Sequence, residues 1–339
     1  MKQAIMTSPG EIEFRDIPGP TPGAGEVLLR VQRIGICGSD VHVYHGKHPY
    51  TSYPVVQGHE YSALIEAVGP GVKGLVVGQK VTSMPQIVCG QCAPCLRGDY
   101  HICDDLKVEG FQAPGCAQEL WVTQADRVVA VPDGFSFEQT AMVEPVAVAA
   151  HAVRRCRDVA GHNVSVLGAG TIGNLVAQVA QAEGATVLSV DLSDFRLDVA
   201  QRCGIRNTSS GRTESLAEAS ARVFGEVGFD VAWECVGVEP TITAIVDCIA
   251  KGGAIVVVGV FAEKPRVDLG LVQDRELNIH GTLMYQRADY ERAIELIAEG
   301  GVTLEPLMSE HFAFDDYADA YRFIDEQGAS AMKVFIDVA

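Results

Sequence analysis

The sequence predicts an α/β chain of two domains, one β-rich and one built on a doubly wound parallel sheet. Three observations predict it. At 339 residues the chain has room for two hydrophobic cores at roughly 150 residues each. Its first third carries short alternating apolar runs such as Val27-Leu28-Leu29-Arg30-Val31-Gln32, which follow the turn-rich stretch PGPTPGAGE that no helix would tolerate. From Asn163 onward strand-like and helix-like segments alternate, the sequence form of a parallel sheet flanked by helices.

Composition narrows the function classes. Hydrophobic residues make up 47%, too many for a disordered chain. Lys and Arg number 26 against 44 Asp and Glu, a net charge of -18, which opposes binding to a phosphate backbone and removes nucleic acid as a partner. The first residues hold no apolar run of signal-peptide length, and no stretch approaches the ~20 apolar residues of a membrane span. The expectation is a cytoplasmic chain with no membrane partner. Close cysteine spacings then read as metal sites rather than disulfides, and Cys116, Cys156, Cys203, Cys235 and Cys248 read as reduced core or surface residues.

The β-rich opening covers residues 2–35. It leads into GICGSDVHVYHGKHPYTSYPVVQGHE, Gly35 to Glu60, where Cys37, His59 and Glu60 offer a thiolate, an imidazole and a carboxylate, three ligand types that zinc accepts. A lone buried cysteine is commonly just a small hydrophobe; the further clusters downstream raise the metal reading. Ser39 to Tyr44 forms a short helix, with Ser39 or Asp40 as its cap, and carries His42 close to the metal. After more strands and glycine turns over residues 61–81 come Cys89, Cys92, Cys95 and Cys103. Four thiolates in a C-x2-C-x2-C-x7-C array can close a tetrahedral shell with no open position, the mark of a structural zinc. An iron-sulfur cluster is the alternative, without any second feature that suggests electron transfer. Strand-like alternation resumes over 118–131. Glu144 then stands among apolar neighbours, where a carboxylate must be paired or coordinated, so it is a candidate for the metal's surroundings or for a structural salt bridge. His151 reads as a hydrogen-bonded helix residue.

In the second half, the strand Asn163 to Leu167 runs into Gly168-Ala169-Gly170-Thr171-Ile172-Gly173 and a helix over 174–183. In that context the glycines let the backbone approach a pyrophosphate at the helix N-terminus. The next strand, 186–190, ends in Asp191, whose carboxylate can accept from the adenosine ribose hydroxyls and would repel a 2'-phosphate, so NAD is the expected cofactor. Arg196 is expected over the adenine face. Further βα units follow at 229–234, 241–251 and 254–258. They bring Val236, Gly237, Val258, Gly259 and Thr282 to the carboxyl ends of strands, where such sheets bind ligands. Helices at 288–299 and 315–325 and a strand at 333–338 complete the chain.

Taken in order, Cys37-Gly-Ser39-Asp40-Val-His42, Gly58-His59-Glu60, the four-cysteine lobe, Glu144-Pro145 and the GAGTIG turn resemble the zinc-dependent medium-chain dehydrogenase family over essentially the whole length. In character the chain is most similar to its polyol or sorbitol dehydrogenase branch, which also holds threonine and butanediol dehydrogenases. The resemblance implies a GroES-like catalytic domain over 1–147 and 285–339, with the structural zinc lobe at about 86–104, a Rossmann domain over 148–284, and an active site in the cleft between them. It implies a catalytic zinc on Cys37, His59 and a nearby glutamate, typically Glu60 in this branch, with Glu144 reaching the metal directly or through water; the sequence alone leaves open which of the two glutamates is the direct ligand. A structural zinc sits on the four cysteines. It further implies Ser39 as the acceptor of the substrate proton, His42 as a relay to solvent, and a homodimer or homotetramer. Where sorbitol dehydrogenases carry an arginine after the last Rossmann strand, Met284 stands here, which points to a different polyol, sugar or hydroxyacid.

The expected reaction is oxidation of a secondary alcohol of a polyol or sugar-derived substrate to a ketone, with zinc as the Lewis acid that makes the alkoxide accessible and NAD as the hydride acceptor. An L-threonine, diol or other hydroxyacid dehydrogenase is the alternative within the family, with Lys47, His48 or Arg287 available to a carboxylate. An NAD-binding regulatory protein without catalysis is the alternative outside it.

Overall fold

The computed structural model describes residues 1–156 and 158–339. They form two compact units, Met1–Glu144 with Met308–Ala339, and Pro145–Leu307.

In the first unit the strand Glu26–Ile36 is central. Its sheet runs Met308–Ala313, Lys333–Asp337, Glu26–Ile36, Glu60–Val68, Lys80–Ser83, Val128–Ala130, and Leu120–Gln124 also pairs with Glu26–Ile36. The inward side chains Val27, Leu29, Val31, Ile34, Ile65, Val334 and Ile336 are buried in one core with Tyr317 and Tyr321, each large apolar group contributing roughly 1.5–3 kcal/mol on burial. Register matters most at one end. Gly35 faces Glu60 across one ladder and Phe335 across the other, so the C-terminal strand is laid beside the Gly-His-Glu segment.

The second unit is a six-stranded parallel sheet. Its order is Asn207–Ser210, Thr186–Asp191, Asn163–Leu167, Val231–Glu234, Ala254–Val257, Asn278–Gly281, the doubly wound arrangement the alternating pattern predicted. Strand order reverses between Asn163–Leu167 and Val231–Glu234, and the carboxyl ends on either side of that reversal are where such a sheet takes its ligand. Leu167, Leu188, Ala232, Ile245 and Ile255 form the core. The helix expected from Asn174 begins at Thr171, because Gly170 is its N-cap. The last three residues of the glycine-rich segment are therefore already its first turn.

The unit boundary falls later than the sequence reading placed it. Residues 285–307 stay with the second unit, and the reason is polar. Asp289, on the helix Arg287–Ala298, is 2.8 Å from His151 Nδ1 and accepts from Arg154 Nε at 2.8 Å, while Thr303 donates its amide to Gln178 Oε1 at 2.6 Å. Burying Asp289 without those partners would be costly. His151 is thus the hydrogen-bonded helix residue it was expected to be, on Val143–Arg154. Among the described residues no helix is long and apolar enough to cross a membrane.

Candidate functional site

Cys37, His59 and Glu60 converge. One ligand atom from each lies within 4.8 Å of the others. Cys37 is the N-cap of the helix Gly38–Tyr44, so its side chain leaves the chain where the extended strand Glu26–Ile36 has just ended. The cap differs from expectation: neither Ser39 nor Asp40 stands at the cap position, and the Asp40 carboxylate reaches back to accept from the Cys37 amide at 3.0 Å. Ser39 donates its hydroxyl to Cys37 Sγ at 3.1 Å, which leaves the oxygen's lone pairs free to accept. His42 is exposed on the last turn of the same helix and stands outside the group of three.

The donor set fits zinc. The His59 ring is buried, and its Nδ1 has no hydrogen-bond partner, with Asp40 Oδ1 3.5 Å away. Burial opposes protonation of that ring, but Asp40 and Cys37 hold its pKa well above the usual histidine range, the signature of a pocket that favours positive charge. Thiolate, imidazole and carboxylate leave a fourth tetrahedral position for substrate, as catalytic zinc sites do. Phe111 packs on His59 at 4.9 Å between centroids and also stacks with His48 at 4.8 Å. Burial lowers the His48 pKa, His42 and His59 adding to it against Asp40.

Sequence reasoning missed Lys333. It is 3% exposed, donates to Glu60 Oε2 at 2.5 Å and to the Ile36 carbonyl at 3.1 Å. Burial acts to discharge it, yet Glu60, Cys37 and Glu144 outweigh that and raise its pKa above the ordinary lysine value. Glu144 is itself 4% exposed, on the first turn of Val143–Arg154. It lies outside the convergent three. The only signal that could have found Lys333 was a charged residue on the inward side of an otherwise apolar strand.

The four cysteines of the lobe also converge. Zinc–sulfur bonds of about 2.3 Å in a tetrahedron separate the sulfurs by about 3.8 Å. Cys92 and Cys103 Sγ are 3.8 Å apart and Cys103 and Cys89 Sγ 3.5 Å apart. Amides of Cys89, Asp104 and Asp105 point at the sulfurs. The Asp104 and Cys95 amides pull the Cys92 thiol down to about 6, while desolvation and the neighbouring thiols push Cys95 up to about 12. Four thiolates crowded this closely require a cation to ionise together, and a closed sulfur shell is a structural zinc.

In the second unit, Gly168 is left-handed at φ 97°, and a Cβ on Gly173 would stand 1.8 Å from the Gly168 carbonyl oxygen. Turn and helix can therefore close only with glycine at both positions. Gly170, Thr171 and Ile172 present the start of the helix Thr171–Ala182. Asp191 accepts from the Ala169 amide at 2.6 Å and the Ser193 amide at 2.8 Å, and Ser193 is the N-cap of the next helix, Asp194–Arg202. Arg196 Nη1 lies 3.9 Å from Asp191 Oδ2. Glu234, absent from the sequence reading, is fully buried and collects the amides of Val236 and Gly237 at 3.0 and 2.9 Å and the Thr241 hydroxyl at 2.6 Å. It shapes the loop that carries Val236 and Gly237. A Cβ on Gly259 would stand 2.3 Å from the Gly237 nitrogen, so these two strand ends need glycine to approach. Val258 and Thr282 are half-buried at the neighbouring strand ends.

Residues 23–133 match the model of the alcohol dehydrogenase GroES-like domain, and residues 171–299 that of the zinc-binding dehydrogenase. The chain is 39% identical to 2-dehydro-3-deoxy-L-galactonate 5-dehydrogenase of Pseudoalteromonas atlantica over 92% of both proteins. It is 33% identical to sorbitol dehydrogenase of Halalkalibacterium halodurans over 99% of both. Its fold superimposes with a TM-score of 0.93, at 28% identity and over 100% of this chain and 99% of the other, on an alcohol dehydrogenase from Escherichia coli CFT073 complexed with NADH. With two convergent metal-ligand sets among the described residues and its dinucleotide turn, the chain belongs to the zinc-dependent medium-chain alcohol dehydrogenase family and is an NAD(P)-dependent oxidoreductase acting on CH-OH donors.

Proposed function

We propose that the enzyme oxidises a secondary alcohol of a polyol or sugar-derived substrate to the ketone, with NAD as the hydride acceptor. The observation that carries this is the convergence of Cys37, His59 and Glu60 within 4.8 Å beside a serine hydroxyl with free lone pairs. When bound, zinc supplies the Lewis acidity that lowers the substrate hydroxyl pKa. Ser39 accepts the hydroxyl proton as it releases its own, and His42, exposed on the same helix, takes up the relayed proton and gives it to solvent. Glu144, a buried carboxylate, is assigned to the metal's surroundings. Gly168, Gly170, Thr171, Ile172 and Gly173 cradle the pyrophosphate at a helix N-terminus. Asp191 takes the ribose, Arg196 flanks the adenine, and Val236, Gly237, Val258, Gly259 and Thr282 line the strand ends along the rest of the cofactor. By likeness to its family the protein works in the cytoplasm as a homodimer or homotetramer.

A carboxylate-bearing sugar acid is the second reading. It is favoured by the 39% identity to a deoxygalactonate dehydrogenase, by Met284 in place of the arginine of sorbitol dehydrogenases, and by His48, which stacks on the phenylalanine that packs on His59. One experiment separates the readings: initial rates with a panel of polyols, sugar acids, L-threonine and other hydroxyacids, run with NAD and NADP in parallel. NADH from neutral polyols supports the first reading, and NADH from acids alone the second. Cofactor binding without turnover on any substrate would leave a regulatory NAD-binding protein.

A further inference from the structure

We propose that Lys333 is a positioning residue of the metal centre: it pins Glu60 by one carboxylate oxygen and keeps the ligand set assembled ahead of metal binding, so that zinc binds against a resident cation. This role presupposes Cys37, His59 and Glu60 as ligands and nothing about the substrate.

Three observations from three strands meet on the pair. Lys333 Nζ contacts Glu60 Oε2 at 2.5 Å and the Ile36 carbonyl at 3.1 Å, so two of its three N–H groups have fixed directions. Both side chains are buried, at 4% and 1% exposure, where an ion pair is retained only with good geometry. Gly35 lies between them in the sheet, and a Cβ there would stand 2.7 Å from Glu60 Oε2 and 3.3 Å from Lys333 Cδ. The strand next to the pair has no side chain where the pair crosses it.

The charges explain the arrangement. The Glu60 carboxylate is 1% exposed, and a carboxylate buried that deeply is costly without a partner. Lys333 offsets its charge and fixes its rotamer through Oε2, which leaves the other oxygen as the one to face a metal. The same positive charge repels an incoming cation. Assembly of the site in the absence of metal is therefore gained at the expense of zinc affinity.

Lys333→Gln tests this, because glutamine still offers N–H donors to Glu60 and Ile36 but carries no charge; Lys333→Arg keeps the charge. Zinc affinity is measured on the full chain by chelator competition, and the catalytic-site phase is identified as the one missing from Cys37→Ser. The Gln variant is expected to hold zinc in that phase at least about tenfold more tightly than wild type, with the Arg variant within about threefold. Equal or weaker binding by the Gln variant would make Lys333 an ordinary core ion pair and overturn the proposal. If the Gln variant folds only with zinc bound, release from the loaded protein is compared instead, with at least about tenfold slower release expected and equal or faster release overturning the role. A Cys37→Ser protein that keeps both zinc phases would overturn the ligand assignment itself, and this role with it.

Discussion

The backbone amide of Ala169 donates to Asp191 Oδ2 at 2.6 Å, so the glycine-rich turn and the acidic strand end are tied to each other. In the proposed cofactor site Asp191 would then serve the dinucleotide twice, by shaping the turn and by facing the ribose. Asp191→Ala is expected to raise the KM for NAD by about tenfold or more, since a hydrogen bond to a charged group contributes roughly 1.5–3 kcal/mol. The KM for NADP should change less, because the repulsion of a 2'-phosphate goes with the carboxylate. Initial-rate kinetics with both cofactors decide it; parallel rises would confine Asp191 to shaping the turn.

Gly173 gives a sharper steric prediction. Its missing Cβ is 1.8 Å from the Gly168 oxygen, so Gly173→Ala must open the turn and lift the helix from the first strand. A loss of about 1–3 kcal/mol in stability is expected from overpacking, together with loss of measurable NAD binding by fluorescence. Gly134→Ala is the control, since nothing lies within 4 Å of its Cβ position. NAD binding retained by Gly173→Ala would mean the turn yields enough to admit a Cβ.

Much of the fold and site was legible because the signals were local. Four cysteines within fifteen residues, a glycine turn between strand and helix, and Gly-His-Glu need no tertiary knowledge to be noticed. Lys333 and Glu60 are separated by 273 positions, and a lysine opening a strand reads as a solvated face until the antiparallel register sets it beside the site. Glu234 was hidden for a related reason: an acid at a strand end looks exposed, yet here it serves as the collector of loop amides. The late unit boundary likewise rests on long-range contacts, Asp289 with His151 and Arg154 and Thr303 with Gln178, which no periodicity reports.

The two metal sites are expected to fail differently. Purified protein should carry about two zinc per chain. Cys37→Ala should fall to about one, lose turnover and keep its cooperative melt, because the first unit's core of Val27, Leu29, Ile34 and Ile336 does not depend on that thiol. Cys95→Ala should lose the other zinc and melt at lower temperature, since the lobe has only a two-stranded pairing, Gln86–Ile87 with Lys107–Val108, to replace it. Metal analysis with calorimetry reads both. Equal loss of folding in the two variants would remove the division between catalytic and structural roles.

Ser39 and His42 share one short helix but differ in exposure, and that difference gives a kinetic test. In the proposed relay Ser39→Ala removes the acceptor at the reacting hydroxyl, so kcat should fall by about 100-fold or more at every pH, the scale of a lost acid-base group. In the same relay His42→Ala removes only the exit to solvent. Its deficit should be largest at neutral or lower pH and shrink as hydroxide in solvent takes over. A pH profile for His42→Ala that runs parallel to wild type would take the residue out of the relay.

Glu109 predicts a pH dependence of stability from outside the reaction. It is 3% exposed, and burial raises its pKa from 4.5 to about 7 against the opposing pull of Arg127 and Thr123. Arg127 Nη2 lies 2.9 Å from Glu109 Oε1, so the pairing is present but does not make up for lost solvation. A carboxyl whose folded pKa lies above its unfolded one binds its proton more tightly when folded. Its contribution to stability is therefore fully present below about pH 4.5 and is lost as pH rises toward about 7, on the order of 3 kcal/mol across that window. Glu109→Gln keeps the acceptor oxygen for Arg127 and Thr123 and removes the ionisation. Urea unfolding of both proteins at pH 5 and pH 8 should show wild type losing ground relative to the Gln variant over that interval. Parallel curves would mean that Glu109 is ionised throughout, with Arg127 fully compensating its burial.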